Sequence, residues 1–162
     1  MWKKTISITY DINKGTGALP EPPNSKDIYN TTTSVTFNLT TTGLSISREG
    51  HSFAGWSKTK GGTTAVGSSI TVSDNTTLYA IWKVNQYTIT PKFYTVDLQG
   101  NVTQNNSGGY LYFEDGTQFS SVKSFNYGDT IKVYASPYSG YAFSKWGDIN
   151  SAFNPREITI PA

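Results

Sequence analysis

The segment EGHSFAGWS, residues Glu49 to Ser57, returns ninety positions later as SGYAFSKWG, residues Ser139 to Gly147. Gly50, His51, Phe53 and Trp56 are matched by Gly140, Tyr141, Phe143 and Trp146. An internal echo at this distance constrains the fold more than any single residue, because it asks for one architecture used twice. At 162 residues the chain has room for two small domains, each able to bury a core without metals or disulfides.

The echo is surrounded by β signals. Thr, Ser, Asn and Gly dominate, a composition common in β-rich extracellular chains. Leu, Ala, Glu and Lys nowhere gather at 3.6-residue spacing over several turns, so the expectation is mainly β (α+β) with at most one short helix per module. Ile6, Ile8, Tyr10 and Ile12 alternate with polar residues, as do Val35, Phe37 and Leu39, and each run reads as a half-buried strand. Between them, LPEPPN is too rich in proline for a ladder, and SKDIYNTTT is expected to open a short helix capped by Ser25. SITVS and DNTTLYAIWK read as two closing strands. The second is apolar on both faces, Leu78, Ala80 and Trp82 on one and Tyr79 and Ile81 on the other, which suits a buried or shared strand.

The pattern restarts at VNQYTIT, which places the boundary near Lys83 and Val84 and gives modules over 1–83 and 84–162. In the second module a polar excursion, DLQGNVTQNNSGG, precedes GYLYFEDGTQF, whose Asp115-Gly116 turn suggests an inserted hairpin. YGDTIKVYASP then repeats the second strand, with Ile131, Val133 and Ala135 inward, and REITIPA repeats GSSITVS. DNTTLYAIW has no second copy within these residues, so the second module is expected to lack its final strand. Its C-terminal sheet edge is then open to other chains in an otherwise monomeric protein.

ITYDINKGTGALPEP, REGHSFAGWS, GGTTAV and SSITVSDNTTLYAIW stand in the order and spacing of the Listeria and Bacteroides repeat, the internalin B-repeat family, which residues 5–83 resemble. Residues 86–162 resemble the divergent bacterial repeat of the same group through YTIT, NYGDTIKVYA and SGYAFSKWG. The resemblance implies two tandem β-grasp-like modules on a secreted or wall-attached bacterial surface protein. It also implies a spacer or interaction role toward host or neighbouring surface components, and no enzyme activity.

The residues themselves favour no catalytic chemistry. His51 is the single histidine and its second copy is Tyr141, so bulk is what the position keeps. Zero Cys removes thiolate nucleophiles and thiolate metal sites. Asp97, Gly100 and Asn101 share a polar loop that misses the calcium-loop spacing, and Glu114 with Asp115 flank a turn. No catalytic residue, cofactor or metal is expected. A net charge of +2 with scattered lysines does not suit nucleic acid, and no run of eighteen apolar residues suits membrane insertion. An isopeptide crosslink would need a buried Lys, Asn and acid together. The residues expected to contact a ligand, whether a glycan or a host protein, are Tyr110, Tyr112 and Phe113 in the 97–119 insertion. Phe53, Trp56, Trp82, Phe143 and Trp146 are expected to be core anchors.

Overall fold

A computed structural model describes residues 2–29 and 31–161. The chain divides into two compact units, Met1–Asn85 and Gln86–Ala162.

In the first unit, β1 (Lys3–Ile6) pairs antiparallel with β4 (Lys26–Tyr29), and β2 (Ile8–Asp11) continues β1 after Ser7. β3 (Thr16–Gly17) pairs with β6 (Ile46–Ser47), and β5 (Val35–Asn38) with β8 (Ser69–Val72). β9 (Thr76–Val84) lies between β2, to which it is parallel, and β7 (His51–Ser57), to which it is antiparallel. Period-two alternation delivers one face of each strand to a common core: Ile6, Ile8 and Tyr10, then Phe37 and Leu39, then Ile70 and Val72, then Leu78 and Ala80, all buried together with Trp56.

The segment expected to hold a capped helix is β4 instead. Pairing Ile28 opposite Lys4 buries the isoleucine to 8% exposure, which a solvent-facing helical turn would not do. Local capping chemistry is weak beside a buried strand partner. Asn30, within that segment, lies outside the described residues. No helix occurs among the described residues, so the mainly β expectation holds without its optional helices.

A β-bulge explains the FAGW spacing. Phe53 and Trp56 are three apart, which in a regular strand would put them on opposite faces. The register slips between Phe53 and Gly55, with Gly55 at φ +124°, so Phe53 opposes Trp82 and Trp56 opposes Ala80. Both rings then face inward, with centroids 5.1 Å apart. Tyr10 packs against Trp56 at 4.4 Å, Trp56 Nε1 donates to the Thr40 carbonyl, and Trp82 Nε1 donates to the Ile12 carbonyl. Phe53 and Trp82 are half-buried at the rim of this core.

In the second unit, β10 (Gln86–Ile89) pairs with β14 (Lys123–Asn126), and β11 (Tyr94–Val96) with β12 (Val102–Gln104). β13 (Gly109–Phe113), β15 (Thr130–Pro137) and β16 (Arg156–Thr159) form an antiparallel sheet with β15 in the centre. GYLYFEDGTQF folds back as a short hairpin, through the Tyr112–Gln118 bridge and the bonds from the Phe113 and Phe119 N–H groups to the Thr117 and Leu111 carbonyls, while β13 finds its main partner in β15. Phe119, Val133 and Ile160 are the buried apolar residues of this unit among the described residues.

Phe143 and Trp146 pack on each other at 5.2 Å yet are half-buried, a correction to the expectation of a buried anchor pair. The segment 141–145 carries no ladder, whereas β7 in the first unit is covered along its length by β9.

Candidate functional site

Strand alternation divides the residues expected to contact a ligand. In β13, Tyr110 and Tyr112 point to one face, Leu111 and Phe113 to the other. Phe113 faces inward, where it meets Phe119 at 4.9 Å and Phe125 at 6.1 Å while Lys123 Nζ sits 4.6 Å over its ring. It is therefore a packing residue. The opposite face is built from tyrosines. Tyr112 stands directly across from Tyr134 with the rings stacked at 5.1 Å and 20°. Tyr110 lies 5.8 Å from Tyr112 and 5.8 Å from Tyr138.

The result is a continuous strip in the order Tyr134, Tyr112, Tyr110, Tyr138, carried on two adjacent strands and the turn that follows β15. Tyr134, Tyr112 and Tyr110 are half-buried and Tyr138 is 47% exposed. The strip ends in polar groups on the same face: Lys132, two residues before Tyr134, opposes Glu157 across the β15·β16 ladder, and Ser136 opposes Tyr110. An aromatic platform edged by an ammonium, a carboxylate and hydroxyls offers both stacking area and hydrogen-bond partners. Tyr134 and Tyr138 escape the sequence reading because only the β13·β15 register brings them beside Tyr110 and Tyr112. The signal that separates Phe113 from the tyrosines, the alternation in YLYF, was present in the sequence.

Other polar clusters serve the backbone. Asp97 Oδ1 accepts the N–H groups of Gln99 and Asn101 at 3.0 and 2.8 Å, and its Oδ2 accepts the Asn101 side-chain amide at 2.7 Å. These bonds, the Asn101 side-chain one foremost, hold its carboxyl below the usual range. The carboxylate thus closes the β11–β12 turn. Asp115 does the same for the following turn by accepting the Thr117 N–H, which lowers its pKa. His51 Nδ1 lies 2.7 Å from the Glu49 carbonyl, a local turn contact. Asp148 accepts two 2.6 Å bonds from one Arg156 nitrogen, which depress its pKa while tying the 148 loop to β16.

Among the described residues, no three of His, Asp and Glu converge as a metal site. No described lysine is buried, so none is set for an isopeptide crosslink. A shallow depression is lined by Ser34, Lys58, Thr71, Ser73 and Asp74, and its carboxylate is ion-paired to Lys4. No helix among the described residues is long and apolar enough to cross a membrane.

Comparison with known proteins agrees with the two-unit architecture. Neither a curated protein nor a solved structure matches the chain. Family models match both halves, the Listeria-Bacteroides repeat domain over residues 7–81 and the divergent InlB B-repeat domain over residues 101–162. Residues 7–81 are thus a Listeria-Bacteroides repeat, and residues 101–162 a divergent InlB B-repeat domain that follows it.

Proposed function

We propose that this tandem segment is a non-enzymatic part of a bacterial cell-surface protein, in which the first unit is a structural spacer and the second carries a glycan-binding face. The observation that supports the binding role is the tyrosine strip of Tyr134, Tyr112, Tyr110 and Tyr138 with Lys132 and Glu157 at one end. Tyrosine rings bring large contact area with little conformational entropy to lose, and the flat apolar face of a sugar ring stacks on them. Polar groups at the rim suit the hydroxyls at the sugar edge. The first unit offers no comparable surface. Of its large apolar side chains, only Trp2, Leu19 and Tyr29 are exposed among the described residues, and the Tyr10, Trp56, Phe53 and Trp82 rings pack on one another in the core and at its rim.

A glycan array probed with the whole chain tests this reading. Binding to a defined glycan class, lost in a Tyr112→Ala, Tyr134→Ala double variant that keeps its fold, is the expected result. Binding unaffected by those substitutions, or no binding to any glycan, would leave only the spacer role.

A further inference from the structure

The two units share more of their frame than the quoted motif. β10·β14 repeats the β1·β4 pairing, and β15·β16 repeats β5·β8. The turn before the repeated motif is also the same. Gly50 and Gly140 have φ of +66° and +86°, and in each the next N–H closes back three residues, His51 to Arg48 and Tyr141 to Tyr138, both at 3.0 Å.

Beyond that turn the units part. In the first, residues 51–57 pair along their length with β9, which buries Leu78 and Ala80 against Trp56. In the second, the N–H groups of Ala142, Phe143, Ser144 and Lys145 donate to no protein carbonyl among the described residues. Phe143 and Trp146 are half-buried, and Tyr141 is 49% and Phe153 86% exposed. Trp146 is nevertheless held in place, its Nε1 donating to the Phe153 carbonyl at 2.7 Å and its backbone N–H to the Ser151 carbonyl at 2.7 Å. A fixed aromatic pair beside free backbone donors is what an edge awaiting a strand presents.

We propose that residues 141–146 form a strand-acceptor site, which takes an extended segment of a partner protein by antiparallel β-augmentation. The chemistry of the occupant follows from the strand that fills the same place in the first unit. Thr76–Val84 sets a small Ala80 opposite Trp56 and a large Trp82 opposite Phe53. An occupant of this kind carries apolar side chains at alternate positions, with a small one facing Trp146.

A synthetic peptide of residues 74–84, DNTTLYAIWKV, has this apolar pattern. Added to the whole chain, it is expected to slow amide hydrogen exchange at Ala142–Lys145 by about tenfold or more, with a Phe143→Ser variant showing no such protection. The same peptide with Ile81→Pro, which removes a donor on the edge that faces β7 in the first unit, is expected to have no effect. Unchanged exchange at Ala142–Lys145 would overturn the proposal, as would protection confined to residues 51–57 or equal protection by the proline peptide. Protection that rises with protein concentration without any peptide would assign the edge to a second copy of the chain, and would overturn it too.

Discussion

Trp56 stands opposite Ala80 across the β7·β9 ladder, with its indole N–H donating to the Thr40 carbonyl at 2.7 Å. The small partner makes room for the large one, and Tyr10 and Phe53 close around it. Trp56→Ala should cost the first unit about 3–5 kcal/mol, the range for large aromatic truncations in a core. Trp146→Ala, at a half-exposed site, should cost the second unit clearly less. Denaturant unfolding followed by NMR signals assigned to each unit separates the two effects, and equal losses would contradict the burial difference.

The bulge that lets Phe53 and Trp56 share a face depends on Gly55, whose φ of +124° is open to glycine and strained for other residues. A Cβ there would also lie 2.8 Å from the Ala65 Cβ. Gly55→Ala should destabilise the first unit by about 1–3 kcal/mol, the usual cost of a residue forced into such a region. The same unfolding experiment measures it. A neutral result would mean that the bulge relocates at little cost.

Much of this was legible in the chain because period-two alternation and turn residues are local signals. The repeated module, the strands around Ile6–Tyr10 and Val35–Leu39, and the buried Trp56 all follow from them. What was not legible depends on partners distant in sequence. Ser25–Tyr29 has the local chemistry of a helix start, yet Lys26–Tyr29 becomes a strand because β1, over twenty residues earlier, offers Ile28 a buried place. Tyr134 joins Tyr112 only through the β13·β15 register. The half-burial of Phe143 and Trp146 follows from what does not cover them, which no property of the SGYAFSKWG segment encodes.

Asp148 links pH to the second unit. Its carboxyl is held below the ordinary value chiefly by the hydrogen bond from Arg156, so the folded state prefers the charged form. The stabilisation is present above the unfolded-state pKa of an aspartate and is lost as pH falls through the depressed folded value. Asp148 is mostly exposed, so the effect should stay below about 1 kcal/mol. Asp148→Asn should therefore destabilise the second unit slightly at pH 7 and make no difference near pH 2. A gap between wild type and variant that widens in acid would contradict the assignment.

The sheet that carries the tyrosine strip can be disturbed without touching a tyrosine. Gly109 opens β13 opposite Pro137, and a Cβ on it would lie 2.5 Å from the Ser136 carbonyl oxygen and 2.9 Å from the Pro137 Cα. Both are backbone atoms of the central strand, so β13 must shift to admit even one methyl group. Gly109→Ala should therefore move Tyr110 away from Tyr138 and weaken glycan binding, while Tyr87→Ala, on β10 and outside the strip, should leave binding unchanged. Titration calorimetry with the best glycan ligand gives the comparison. Each of Tyr112→Ala and Tyr134→Ala should lower affinity by about tenfold, roughly 1.4 kcal/mol, as central aromatic contacts do. Equal affinities for the Gly109, Tyr112 and Tyr134 variants and wild type would place the ligand elsewhere on the unit.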